Sequence, residues 1–274
     1  MTICVAIKVH DCIVFAADSA STVSKNQQVL NVYNNADKVF NLHREKPLVA
    51  MTAGMGSIGG RSISSLTKEL RIEIKEKIDI LNYGVDEIVG FAAAFFETAY
   101  NAPDNANARN DNDYFEFWIG GYGSANKHGE IWKIILSLGK FQYEQISKES
   151  DSLGIFWGGQ GEAIGRLLYG VDPDFIQVMM NGGADEEDAV KMYNVACKGL
   201  MTHLLCPSMP VIDVIRLAEY LVDTTKGYSS FKADWNTVGG ETDLATVTKY
   251  EGFKWIKRKH FYPRGLNRGY SNHV

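Results

Sequence analysis

Residues 2–22 read TICVAIKVHDCIVFAADSAST. Thr2 to Val9 alternate with the two-residue period of a strand, and Cys12 to Ala17 form a continuous apolar run of strand length. The His10-Asp11 pair between them is turn chemistry, so the stretch reads as a β-hairpin. That hairpin places Asp18, at the end of its second strand, sixteen residues after Thr2.

Thr2 follows an initiator Met, and threonine is small enough for that Met to be removed. Removal exposes a residue with both a hydroxyl and a free α-amine, a nucleophile and a nearby base in one unit. The amine's reference pKa of ~7.7–8.0 lies close to operating pH, as efficient proton transfer prefers.

Downstream, residues 18–37 are polar and Asn-rich, which reads as loop. Lys38 opens a short strand (KVFNL), and REKP turns the chain into another (LVAMTA). A glycine cluster, Gly54 to Gly60, precedes a helix with Leu66, Leu70, Ile74 and Ile78 on one face, and a second helix covers about 85–100. Residues 101–113 hold five Asn and three Asp and read as loop. Strands follow near 114–120, 130–136 and 141–147, and SLGIFWGGQGEAIGRLL reads as strand, glycine turn and helix. Asp185 to Asp188 (DEED) stand where a helix N-terminus favours acids, with Ala189, Tyr193, Cys197, Leu200 and Leu204 on one stripe. After CPSMP comes an amphipathic helix with Val211, Val214, Ile215, Ala218, Leu221 and Val222, then two strands, ETDLATVTKY and FKWIKRK. Runs of strands and helix pairs, with no βαβ alternation, predict an α+β layered fold.

The segment Gly54-Met55-Gly56-Ser57-Ile58-Gly59 matches GxGxxG, a phosphate cradle if a strand carrying an acid follows. The alternation of Ile72, Ile74, Ile78 and Ile80 with Asp79 is a candidate for that strand, in competition with the helical stripe from Leu66 to Ile78. The second cluster, Gly159, Gly161 and Gly165, has no candidate strand after it. The six histidines form no HxH or HExxH, and neither a GxxxxGK[ST] nor a GxSxG motif occurs, so no cofactor and no metal are expected.

The constellation of Thr2, the AADS-x-x-T context around Asp18, the KVF context of Lys38 and the LVAMTAGMG strand resembles the proteasome β-subunits. These belong to the N-terminal-nucleophile (Ntn) hydrolases and include bacterial ancestral-type relatives. FWIGGYG, SLGIFWGGQGEAIG and TVGGETDLATVTKYEG resemble further strands and turns of that family, extending the likeness over most of residues 2–260. The resemblance implies a four-layer αββα sandwich. It implies that Thr2 attacks, Asp18 orients Lys38, Lys38 polarises the nucleophile, and the Gly54 amide stabilises the oxyanion. It also implies a self-assembled ring or helical homo-oligomer, with any unfolding ATPase a separate chain. The chain departs from the family at Gln160, where those subunits carry Ser in the turn before the third helix. A second departure is Asp234-Trp235-Asn236-Thr237, near a later Asp-x-x-Ser site. Asp234, Thr237 and Gln160 are therefore accessory candidates.

The expected function is a threonine-type hydrolase of amide bonds, peptides first. Two alternatives stay open: a catalytically weak scaffold of the same fold, and an NAD(P)-binding oxidoreductase built on the glycine cluster. The 274 residues, at ~150 per domain, leave one or two domains open. The motifs favour one domain over 2–253, with a helical insertion near 171–207 and a basic strand and tail over 254–274. From Lys254 onward there are six Lys or Arg and no acid, against a net charge of −5 for the whole chain. Trp255, Phe261, Tyr262 and Tyr270 interleave with those bases, and the tail is expected to pack on its own acidic body or on a neighbouring subunit. The charge balance predicts neither nucleic-acid nor membrane partners. No apolar stretch nears the ~20 residues a membrane helix needs. Four sparse cysteines and no signal-peptide pattern point to the cytoplasm.

Overall fold

The computed structural model describes residues 2–25, 28–106, 109–110, 113–172, 174–233 and 236–259. The N-terminal hairpin forms as read: β1 (Ile3–Lys8) pairs antiparallel with β2 (Ile13–Ala17), Cys4 opposite Ala17 and Lys8 opposite Ile13. Every residue of both strands is buried, so the hairpin lies in the interior of the molecule.

Two polar strands follow, β3 (Ser21–Lys25) and β4 (Gln28–Tyr33), paired with each other in the stretch read as loop. Val23, Leu30 and Tyr33 stand exposed, so this ribbon has no apolar face to announce it. The chain continues through β5 (Val39–Asn41), β6 (Leu48–Gly54) and the short pair β7 (Ser57–Ile58) and β8 (Arg61–Ser62). Helices α1 (Ile63–Lys77) and α2 (Val85–Asn101) come next. Helix α1 starts where Ser62 accepts a hydrogen bond from the Ser65 amide at 3.1 Å. Strands β9 (Phe115–Gly121), β10 (Glu130–Ser137), β11 (Lys140–Ser147) and β12 (Gly154–Gly159) precede α3 (Glu162–Tyr169), α4 (Asp174–Asn181), α5 (Glu186–Leu200) and α6 (Val211–Phe231). Strands β13 (Asp243–Thr248) and β14 (Gly252–Lys257) close the described chain.

One five-stranded sheet has the order β12-β1-β2-β13-β14, the other β11-β10-β9-β6-β5, and their pairings are antiparallel. Because side chains alternate along a strand, β1 feeds two cores. Ile3, Val5 and Ile7 pack with Ile164 of α3 and with Val214, Ala218 and Leu221 of α6. Cys4 and Ala6 join Phe15, Val49, Met51 and Trp118, a cluster drawn from both sheets. A third core sets Leu66, Leu70 and Ile74 of α1 and Ile88, Ala92 and Phe96 of α2 on Phe115, Phe117 and Ile119. The architecture is thus a mixed α+β fold of antiparallel sheets and helices, with apolar contacts between the sheets and on their helix-covered faces.

Other sequence expectations change. Residues 72–77 belong to α1, so the Ile72–Ile80 stretch is no strand and the dinucleotide fingerprint lacks its second half. The stripe from Ala189 to Leu204 buries only Ala189 within α5, and the helix ends at Leu200, before Leu204. The segment 171–207 holds two helices, α4 and α5, where one was read. The 253/254 division falls within β14, which pairs with β13 through Phe253, Lys254 and Trp255. Phe261, Tyr262 and Tyr270 lie outside the described residues.

Candidate active site

Thr2 stands just ahead of β1 and Asp18 just after β2. The ladder brings them together, since the Asp18 amide donates to the Ile3 carbonyl at 3.2 Å. By strand parity Thr2 falls on the same face as Cys4 and Ala6, the face turned to the second sheet. Lys38 arrives from that second sheet, immediately before β5. Its carbonyl accepts from the Thr52 amide of β6 at 2.9 Å, which fixes the backbone from which the side chain reaches across. The site lies where the ends of the two sheets meet.

Thr2, Asp18 and Lys38 are 4%, 0% and 6% exposed. Thr2 Oγ1 donates to Asp18 Oδ1 and accepts from Lys38 Nζ. Lys38 Nζ also donates to Asp18 Oδ1 at 2.5 Å. Asp18 is saturated: Oδ1 further accepts from the Ile3 amide at 3.1 Å, and Oδ2 accepts from the amides of Ala20 at 3.1 Å and Gly239 at 3.0 Å. A buried carboxylate met by an ammonium, a hydroxyl and three amides is held in one position.

The remaining predicted residues occupy distinct places. Gly54 ends β6 at φ 88°, and a Cβ there would lie 2.2 Å from the Tyr114 carbonyl oxygen, so only glycine fits the turn. Gln160 meets Thr2 through the backbone: its amide donates to the Thr2 carbonyl at 2.7 Å. Thr237 is 1% exposed, and its hydroxyl has no hydrogen-bond partner among the described residues. Asp234 lies outside the described residues. No cluster of His, Cys, Asp and Glu able to hold a metal occurs among the described residues. No helix among them is long and apolar enough to cross a membrane.

Five further groups at the site are given no role by the sequence alone. The Gly239 amide holds Asp18 from 221 residues away. Cys4 sits one strand step from Thr2, its Sγ donating to the Thr52 carbonyl at 3.0 Å, and burial pushes its thiol far above the usual range. Behind Asp18, the buried Lys259 ammonium meets Asp243 Oδ2, and it donates to Ser19 Oγ at 2.6 Å. Burial pushes the Asp243 carboxyl above the usual carboxylate range, although the Lys259 contacts pull it down.

This chain is similar in structure to a subunit of a solved assembly described as the helical assembly of the Anbu complex from Pseudomonas aeruginosa. The TM-score is 0.56 at 16% sequence identity, over 95% of this chain and 88% of that one. The fold is proteasome-like. No protein-family model matches the sequence, and no curated protein matches it.

Proposed function

We propose that the chain is a threonine-type N-terminal-nucleophile hydrolase that cleaves amide bonds, with peptides as its first substrate class. One observation carries the reading: Thr2 Oγ1 is held between an ammonium and a carboxylate, all three buried at the meeting of two sheets. A solvated surface lysine does not produce that arrangement. The three stacked apolar cores also favour the four-layer αββα reading of the proteasome-like fold.

While residue 1 is attached, the Thr2 nitrogen is an amide and cannot act as a base. Once it is a free amine, it takes the hydroxyl proton, directly or through a water. Lys38 favours loss of that proton by placing positive charge beside the developing alkoxide. Oγ1 attacks the substrate carbonyl carbon, and the Gly54 amide faces the oxyanion. The C–N bond then breaks as the amine returns the proton to the leaving nitrogen. Water hydrolyses the Thr2 ester, releasing the acid and regenerating the hydroxyl. Asp18 serves by fixing Lys38, and the Thr237 hydroxyl is an accessory donor.

We further propose one domain over 2–253 and self-assembly into a homo-oligomer. The apolar side chains of Val178, Val195, Leu200 and Met201 on and after α4 and α5 stand exposed, and the structurally similar protein is described as a helical assembly. Free thiols at Cys4, Cys12, Cys197 and Cys206 suit a reducing cytoplasm.

The test is covalent labelling. A peptidyl epoxyketone, which needs both a hydroxyl and a free α-amine, should modify Thr2 in protein whose intact mass shows residue 1 removed. Thr2→Ala should abolish labelling and peptide turnover. An N-terminus that stays blocked, or unchanged turnover in Thr2→Ala, overturns the reading.

A further inference from the structure

Asp18 is held by a small structure of its own, and its centre is Ser19. The Ser19 amide donates to the Gly239 carbonyl at 2.8 Å, and the Gly239 amide in turn donates to Asp18 Oδ2 at 3.0 Å. The Ser19 carbonyl accepts from Ala36 at 3.0 Å, two residues before Lys38. Ser19 Oγ donates to the Glu241 carbonyl. The backbones that carry Asp18, Lys38 and the Gly239 amide are therefore all tied to one residue. Packing around it is close: Gly240 has φ 74°, and a Cβ there would lie 2.4 Å from the Asn34 carbonyl oxygen and 2.9 Å from Ser19 Cβ.

A single charged donor reaches Ser19 Oγ among the described residues, and it is Lys259. Its ammonium is buried and shared between Ser19 and Asp243 on β13, and its amide donates to Asp243 Oδ1 at 3.3 Å. A buried ion pair is no efficient stabiliser by itself, because desolvation offsets most of the attraction. Its strength is in fixing geometry. Here it fixes the hydroxyl that organises the nucleophile's support.

We propose that Lys259 is a positioning residue: by holding Ser19 and Asp243 it aligns Asp18 and Lys38 on Thr2, so the segment after β14 completes the site. This rests on the reading of Thr2 as the nucleophile. The Lys259 ammonium is buried against Ser19 and Asp243, so its loss should change the chemical step and leave substrate affinity alone.

The test compares epoxyketone labelling of the full chain in wild type, Lys259→Met, Ser19→Ala and the double variant Asp243→Asn/Lys259→Met, resolving inactivation rate from inhibitor affinity. In Lys259→Met and Ser19→Ala the inactivation rate should fall roughly 10- to 100-fold, the scale of a misplacement near 1 Å, with affinity unchanged. The double variant leaves no buried charge unpaired, so it should unfold at higher denaturant than Lys259→Met yet still label slowly. Lys257→Met, whose ammonium meets Glu219 on the outside of the fold at 2.9 Å, should label like wild type. Wild-type rates in Lys259→Met, or rates that return with stability in the double variant, overturn the positioning role and leave the nucleophile standing. Absence of labelling in the wild type overturns the nucleophile reading, and the positioning role with it.

Discussion

At Thr2 and its two partners, a single substitution leaves a specific atom stranded. Asp18→Asn leaves the Lys38 ammonium buried without its carboxylate, and breaking one side of such a pair costs about 3–5 kcal/mol. Denaturant unfolding should show that loss, and labelling of Thr2 should fall with it. Lys38→Met keeps the apolar stem and leaves a carboxylate that still accepts from Thr2 and three amides. Its stability loss should therefore be smaller than that of Asp18→Asn, while peptide turnover drops by orders of magnitude. The cysteines give a second check. Burial pushes the Cys12 thiol up to about 12 and Cys4 higher still, whereas Cys206 is exposed. Alkylation of the native protein at pH 8, read by peptide mass, should mark Cys206 first and leave Cys4 and Cys12 unmodified.

Among the elements, the turn between β5 and β6 carries a pH-sensitive group. His43 is 5% exposed, its Nδ1 accepts from the Glu45 amide at 3.2 Å, and burial holds its pKa below the ordinary 6.5. The folded state thus binds a proton less readily than the unfolded chain. Stability from this group is fully present above about pH 6.5 and is lost as pH falls from there through the lower folded value. Thermal unfolding between pH 7.5 and 5.5 should show that decline, and His43→Gln should flatten it. Phe15, buried on β2 in the core drawn from both sheets, is a packing test: Phe15→Ala should cost about 3–5 kcal/mol in urea unfolding. Legibility in the sequence followed burial among these elements. Helices α1 and α6 are readable because each has a core-facing period, as in Leu66, Leu70 and Ile74, and the hairpin over 2–17 because its strands are short, largely apolar stretches parted by a polar turn. The β3–β4 ribbon is not, because Val23, Leu30 and Tyr33 face solvent and leave no alternation. The stripe on α5 was visible but its fate was not, since a period shows which residues share a face and nothing about what covers it.

Across the whole molecule, the candidate site is half legible in the sequence. Thr2, Asp18 and Lys38 lie within one short stretch whose strand ends can be counted. Ser19, Gly239, Asp243 and Lys259 meet only through tertiary pairing, and no local period encodes a contact across 240 residues. The proposed self-assembly also belongs at this scale. Val195→Glu on the exposed face of α5 should shift sedimentation from an oligomer toward a single chain, while Cys4 and Cys12 stay protected from alkylation.

Synthesis runs from the N-terminus, so Thr2 leaves the ribosome 257 positions ahead of Lys259. At about 5–20 residues per second that interval is roughly 13–50 s. Throughout it the Lys259–Asp243 pair cannot exist, and the proposed nucleophile of the nascent chain lacks part of its support. On the proposed roles of Thr2 and Lys259, translation order would act as a timer that withholds cleavage until the segment after β14 is in place.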